Sequence, residues 1–328
     1  MSKYVGIDLG GTAIKYALMN ENATIVEQSS TRTPLPSDSS LEDLLIILEG
    51  IIEEYINKRN PLEHSQLSTT LKSVDRKDVA IKGVAISMPG IIDNKTGHAY
   101  IGGAITYLTG VNLAKLLMEK FQIPVTIEND AKSAALAELW KGNLKDCKNG
   151  AVITLGTGVG GGIIINGALY SGGTFAAGEF SYILVDTNKP YESGSFWGSI
   201  GGVKTLYELV HQNTGIPLSK LDGFKVFEMA THGDEGALEA LDQYTKRLAL
   251  PIYNLQTILD LELMAIGGGI SKQPLLLTYL QKNLDENYER NPIHNFAPFV
   301  PRPKVTTCKF YNDANIIGAL YHHLQLYP

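Results

Sequence analysis

Leu155-Gly156-Thr157-Gly158-Val159-Gly160-Gly161-Gly162-Ile163 stands between two apolar runs, Ala151 to Leu155 and Gly162 to Ile165. Runs of that length and composition read as strands, so the glycines between them form a hairpin. The spacing Gly156-x-Gly158-x-Gly160 looks like part of a dinucleotide fingerprint. That fingerprint, however, needs a helix after the turn and an acidic residue about twenty positions on. Here a strand follows at once, which removes a Rossmann site. The chain also lacks a GxxxxGK[ST] loop, which removes the ordinary P-loop nucleotide hydrolases.

Two more glycine turns follow strands: Asp8-Leu9-Gly10-Gly11-Thr12 and Gly267-Gly268-Gly269-Ile270-Ser271. The protein has 33 glycines in 328 residues, more than the roughly 7% of an average chain. Glycine lets backbone amides turn inward and approach a ligand with no Cβ in the way, as a phosphate requires. Three such turns, carrying one Asp and two Thr hydroxyls, can surround one polyphosphate.

The remaining elements alternate between strand and helix. Tyr4 to Leu9, Ala13 to Met19 and Ala23 to Gln28 read as an opening meander. Ser39 and Glu42 make a capping box for an amphipathic helix carrying Leu41, Leu44, Leu48, Ile52 and Tyr55. Residues 57–78 are polar and irregular and read as a surface excursion. A strand from Val79 to Ser87 follows, then a helix capped by Asn112, a strand Val125 to Ile127 and an Ala-rich helix opened by Asn129-Asp130. Beyond the hairpin, helices are expected at Val203 to Thr214, Phe224 to Thr231 and Glu235 to Asp260, the last interrupted at Pro251. A strand entering Gly267, a helix from Pro274 to Tyr288, a strand at Val305 to Phe310 and a helix from Asp313 to Leu326 complete the chain. The first strands recur in kind near residue 151, as two related α/β lobes would.

Composition narrows the function classes. Lys plus Arg is 28 against 34 Asp plus Glu, a net charge of −6 with no dense basic cluster, which argues against nucleic-acid binding. Cys147 and Cys308 lie far apart and make no CxxC, so they read as reduced thiols. No apolar run approaches the roughly 18 residues of a membrane span, and the first residues lack a signal-peptide pattern, so a cytoplasmic protein without membrane contact is expected.

The motifs DLGGT, PG, ENDA, LGTGVGGGI with AGE, and IGGGIS, in this order, resemble the ROK family of bacterial sugar kinases and regulators over essentially the whole chain. The resemblance implies two ribonuclease-H-like α/β lobes of the actin/Hsp70/hexokinase-like superfamily with a cleft between them. It divides the chain into a small lobe of residues 1–120 plus 311–328 and a large lobe of residues 121–310. Asp8, Gly10, Gly11, Thr12 and Lys15 are implied to grip the phosphates of ATP, together with Gly156, Thr157 and Gly158. Gly267, Gly268 and Gly269 are implied to let the following helix approach the nucleotide, and Asp8 to hold Mg²⁺ through water.

Asp130 is implied to be the catalytic base, holding the acceptor hydroxyl and taking its proton as the oxygen attacks the γ-phosphorus. Without the surrounding motifs, Asn-Asp before an Ala-rich run would read as a helix cap. Asn129, Glu179, Gly103 and Tyr182 are implied to contact the sugar. Family members follow GE with a GH pair and a cysteine-rich stretch that bind structural zinc. This chain reads Gly178-Glu179-Phe180-Ser181-Tyr182 and then Glu192-Ser193-Gly194-Ser195-Phe196-Trp197, with no cysteine there, so no structural zinc is expected. Tyr182 stands where the zinc-binding histidine would be, and Phe196 and Trp197 are expected to hold the loop by packing. This zinc-less pattern resembles the branch that includes β-glucoside kinases.

The expected function is ATP- and Mg²⁺-dependent phosphorylation of a primary hydroxyl, the 6-OH of a hexose, hexosamine or β-glucoside, by a homodimer or homotetramer. Two alternatives are weighed. A sugar-responsive ROK regulator would carry a helix-turn-helix ahead of DLGGT, where this sequence has only a few residues. A superfamily ATPase not acting on sugar would not need ENDA.

Overall fold

The computed structural model describes residues 2–34, 36–56, 81–296 and 301–328; the expected polar excursion at 57–78 lies outside them. Their contacts divide the chain into two units, Met1–Ala137 with Gly172–Ala176 and Asp313–Pro328, and Glu138–Ser171 with Ala177–Asn312.

In the first unit, β1 (Lys3–Leu9), β2 (Ala13–Asn20) and β3 (Ile25–Arg32) form an antiparallel meander. The third strand starts two residues later than expected. Asn20 Oδ1 accepts from the N–H groups of Asn22 (3.0 Å) and Thr24 (2.9 Å), and Ala23 takes φ +61°, so the turn runs through Thr24. Helix α1 (Leu41–Ile56) begins one residue past the expected cap: Ser40, not Ser39, opens it, and its N–H (2.8 Å) and hydroxyl (3.0 Å) both bond Asp43. Strand β4 (Ile81–Met88) runs parallel to β1. A small ribbon follows, made of β5 (Ile91–Asp93) and β6 (His98–Ile101).

Helix α2 (Leu113–Phe121) is capped as expected by Asn112, whose Oδ1 accepts from Lys115 N–H at 2.9 Å. It leads to β7 (Val125–Asn129), parallel to β4. This pairing carries the first sheet beyond residue 120, so the contact division falls after Ala137, within α3 (Asp130–Lys141). The sheet order is β3-β2-β1-β4-β7.

The inner strands are apolar at almost every position because helices cover both faces. Val5, Ile7, Leu9, Val84, Ile86 and Met88 join Leu44, Leu48 and Ile52 of α1 in one core. The C-terminal helix Ala314–Leu326 contacts β1, β4 and β7, and a Cβ on its Gly318 would collide with the carbonyl of Ser133. No larger residue fits at that crossing.

The second unit repeats the plan. It is built on β8 (Gly150–Leu155), β9 (Val159–Ile165), β10 (Ala168–Leu169), β11 (Leu263–Gly267) and β12 (Val305–Thr307), in the order β10-β9-β8-β11-β12. Both sheets thus pair an antiparallel meander with two parallel strands, the duplication read from the sequence. The turn is tighter than expected, with Gly160, Gly161 and Gly162 already inside β9 opposite Thr154, Ile153 and Val152.

Helices α4 (Trp197–Gly201), α5 (Val203–Thr214), α6 (Gly223–Thr231), α7 (Glu235–Leu259) and α8 (Pro274–Glu289) complete this unit. Helix α7 runs through Pro251 without the expected interruption. Pro251 lies on its buried side with Leu248, Ala249 and Ile252, so packing outweighs the lost backbone bond. Strand β12 stops three residues short of expectation because the N–H groups of Lys309 and Phe310 turn to the Glu138 carboxylate. Among the described residues, no helix is long and apolar enough to cross a membrane.

Candidate active site

In the first unit, the parallel strands β1, β4 and β7 end side by side. Asp8 is in register with Ser87, and Ser87 with Glu128, one residue before Asn129 and two before Asp130. The carboxyl edge of parallel strands is where open α/β sheets bind ligands. Asp8 is 7% exposed, and its Oδ1 accepts from Ser87 Oγ (2.6 Å) and from Asn315 Nδ2 (3.1 Å). Both bonds fall on one oxygen, which orients the carboxylate and leaves Oδ2 available. Lys15 lies directly opposite Asp8 across the β1–β2 pair. The turn between these strands exposes Gly11 and Thr12. It is pinned by Thr33, which sequence reasoning missed: Thr33 Oγ1 donates to Gly10 O (2.7 Å) and its N–H to Thr12 O (3.1 Å).

Asn129 and Asp130 form the corner between β7 and α3. Asn129 is 4% exposed and has much of its amide committed within the protein, with Oδ1 accepting from Lys132 N–H (3.0 Å) and Nδ2 donating to Gly90 O (2.9 Å). It therefore caps α3 and holds the Pro89-Gly90 turn. Gly103, at φ +58°, rests on that turn, where a Cβ would come within 2.9 Å of Pro89. A side chain there is opposed by both backbone conformation and space.

Asp130 is partly exposed. Burial nonetheless pushes its carboxyl up to about 6, against the pull of the Ala131 N–H on Oδ1 (2.8 Å) and with the Asp8 charge adding to the rise. A carboxylate with this pKa is a stronger base than an ordinary aspartate and is still mostly ionised near neutrality. Glu128 is 1% exposed and also escaped sequence reasoning. It accepts from Asn129 N–H (2.7 Å) and Asn94 Nδ2 (2.6 Å), bracing the corner from beneath. Burial of a carboxylate is the signal, and it has no mark in sequence.

In the second unit, the other two glycine turns meet. Gly268 has φ +95°, and a Cβ on it would collide with the carbonyl of Leu155, the residue before Gly156. The 156–158 turn is held by Val203 N–H at the start of α5, which donates to Gly156 O (2.9 Å), and it leaves Gly156 and Thr157 exposed. Ser181 packs against Gly158, its Oγ bonding the backbone of Val159 on both sides (3.1 and 3.0 Å). The stretch from Glu179 to Tyr182 therefore lies beside this turn, with Tyr182 67% exposed. Trp197 is fully enclosed against Phe180 (ring centroids 5.7 Å), and its backbone N–H donates to Ile183 O (2.8 Å), so packing holds this loop. Phe196 contributes through a backbone bridge to Leu184. Among the described residues, no group of three or more His, Cys, Asp or Glu could hold a metal ion.

A single carboxylate at a strand end fits magnesium, which binds through one or two carboxylates plus substrate phosphates and keeps several waters. Asp8, near the end of β1, is a carboxylate of that kind.

The sequence is 30% identical to a β-glucoside kinase of Listeria innocua over 98% of both chains. It is 31% identical to a glucokinase of Halalkalibacterium halodurans, over 96% of this chain and 93% of that one. A crystal structure of a ROK family protein from Streptococcus pneumoniae in complex with sucrose superposes with a TM-score of 0.80 at 28% identity, covering 98% of each chain. The fold is the actin/Hsp70/hexokinase-like one that ROK hexokinases share. With the ROK family matching residues 4–325, the chain belongs to that family.

Proposed function

We propose that the protein is an ATP-dependent sugar kinase that phosphorylates a primary hydroxyl, the 6-OH of a hexose, hexosamine or β-glucoside, with Asp130 as general base. The observation that carries this reading is Asp130 itself, a carboxylate of raised basicity on the strand edge that also bears Asp8 and an exposed glycine turn. Relatives named as β-glucoside kinase and glucokinase across nearly the whole chain support the substrate class.

Phosphoryl transfer passes through a loose transition state, so the protein's work is positioning and charge placement. The phosphate-binding residues are Gly10, Gly11, Thr12 and Lys15 of the first unit and Gly156, Thr157, Gly158, Gly267, Gly268 and Gly269 of the second. Asp8 would hold magnesium, which when bound would neutralise charge on the phosphates. Asp130 accepts the proton of the attacking hydroxyl. Asn129 fixes the corner that carries Asp130 and keeps its remaining donor for a sugar hydroxyl, while Gly103, Glu179 and Tyr182 supply further sugar contacts. The reading extends to a cytoplasmic homodimer or homotetramer, consistent with two free thiols.

A coupled assay of ADP release across cellobiose, glucose, N-acetylglucosamine, N-acetylmannosamine, mannose and fructose tests the reading. Turnover should require a sugar, and equal ADP release with and without sugar would refute it. The pH profile tests the base. kcat/KM for the sugar should fall as pH drops through about 6, because Asp130 must be ionised and is protonated below its raised pKa. An acid limb near 4, where an ordinary aspartate titrates, would exclude Asp130.

A further inference from the structure

Lys132 is the second residue after Asp130 and is 1% exposed, among the largest side chains the protein encloses completely. Its ammonium donates to the carbonyl of Phe175. Phe175 lies in Gly172–Ala176, a short segment that packs with the first unit although the chain on either side belongs to the second. It holds φ +61°, a conformation that a bulky residue keeps only where its surroundings impose it. Its ring stacks on Tyr100, with centroids 6.1 Å apart and planes 21° from parallel. Tyr100 precedes Ile101, whose carbonyl closes on Gly90, and Gly90 in turn accepts from Asn129. These contacts make a ring that starts and ends at the Asn129-Asp130 corner.

Lys132 also acts on Asp130, where its charge favours the carboxylate. We propose that Lys132 is a positioning residue of the acceptor site, tying Gly172–Ala176 and its Phe175–Tyr100 stack to the catalytic corner while placing its charge beside the Asp130 carboxylate. The inference rests on the kinase reading above. The other charged group acting on Asp130 is Asp8 of β1, whose effect is opposite; Glu128 of β7 is directed to Asn94 and the Asn129 N–H.

Lys132→Met and Lys132→Arg in the full chain test it. For Lys132→Met, the sugar KM should rise about tenfold or more at pH 8, as loss of one charge-assisted hydrogen bond requires, with kcat much less affected. The acid limb of kcat/KM should move to higher pH, because the charge favouring the Asp130 carboxylate is gone. Lys132→Arg should return the limb towards its wild-type position. Chymotrypsin with mass mapping gives a readout independent of turnover: cleavage after Phe175 should be fast in Lys132→Met and slow in wild type. An unmoved acid limb with an unchanged sugar KM would overturn the proposal, as would equal cleavage after Phe175 in both proteins. Wild-type protein that turns over ATP with no sugar requirement would instead refute the kinase reading, and the cleavage result would still decide whether Lys132 holds the segment.

Discussion

Asp130→Asn should lower sugar-dependent ADP release by roughly 10²–10⁴-fold, the usual contribution of a positioned general base. The change preserves shape, and the amide oxygen can still accept the 2.8 Å bond from Ala131 N–H. What it removes is the capacity to take a proton. The same variant should be more stable than wild type. The folded-state pKa of Asp130 lies above its unfolded value, so at neutral pH the ionised carboxylate opposes folding, and the penalty disappears as pH falls and the group is protonated. Removing that charge should recover on the order of 1–3 kcal/mol. Initial rates with saturating sugar and thermal denaturation at pH 7.5 measure the two effects in one preparation. Near-normal turnover would refute the base assignment. Loss of both activity and stability would mean that Asp130 acts as a structural cap.

The opposition of activity to stability at one residue shows what sequence reading reaches here. Strand-glycine-strand order around Gly156 was legible because alternation and glycine position are local properties. The capping of α2 by Asn112 and the start of α3 at Asp130 were legible for the same reason. Where the reading slipped, a side-chain hydrogen bond had moved a boundary. Ser40 rather than Ser39 opens α1, Asn20 lengthens the first turn to Thr24, and Glu138 ends β12 at Thr307. Pro251 passes through α7 because that helix is held by its packed face. Thr33, Glu128 and Lys132 shape the site from enclosed positions. A buried polar side chain looks in sequence like an exposed one, and only its neighbours show that it is confined.

Glu138→Ala should destabilise the protein by about 3–5 kcal/mol, the second large effect expected from a single substitution, because it strips a buried charged acceptor from three backbone donors. Glu138 is fully enclosed. Its Oε1 accepts from the N–H groups of Lys309 (2.6 Å) and Phe310 (3.3 Å), and its Oε2 from Asn143 N–H (2.8 Å). Those donors belong to the turn after α3 and to the segment after β12, regions far apart in sequence that the carboxylate joins. Alanine would leave all three N–H groups without their partner and open a cavity, so the desolvation cost of each is no longer offset. Gly142 packs directly on Glu138, leaving no side chain to take over. Glu138→Gln keeps two acceptor sites on one oxygen and places an amide donor among donors, so it should cost less than alanine and more than a surface change. Urea denaturation of the three proteins orders them. The expected order is wild type, then Gln, then Ala, and an alanine variant within about 0.5 kcal/mol of wild type, the range of ordinary surface substitutions, would show that water replaces the carboxylate at little cost.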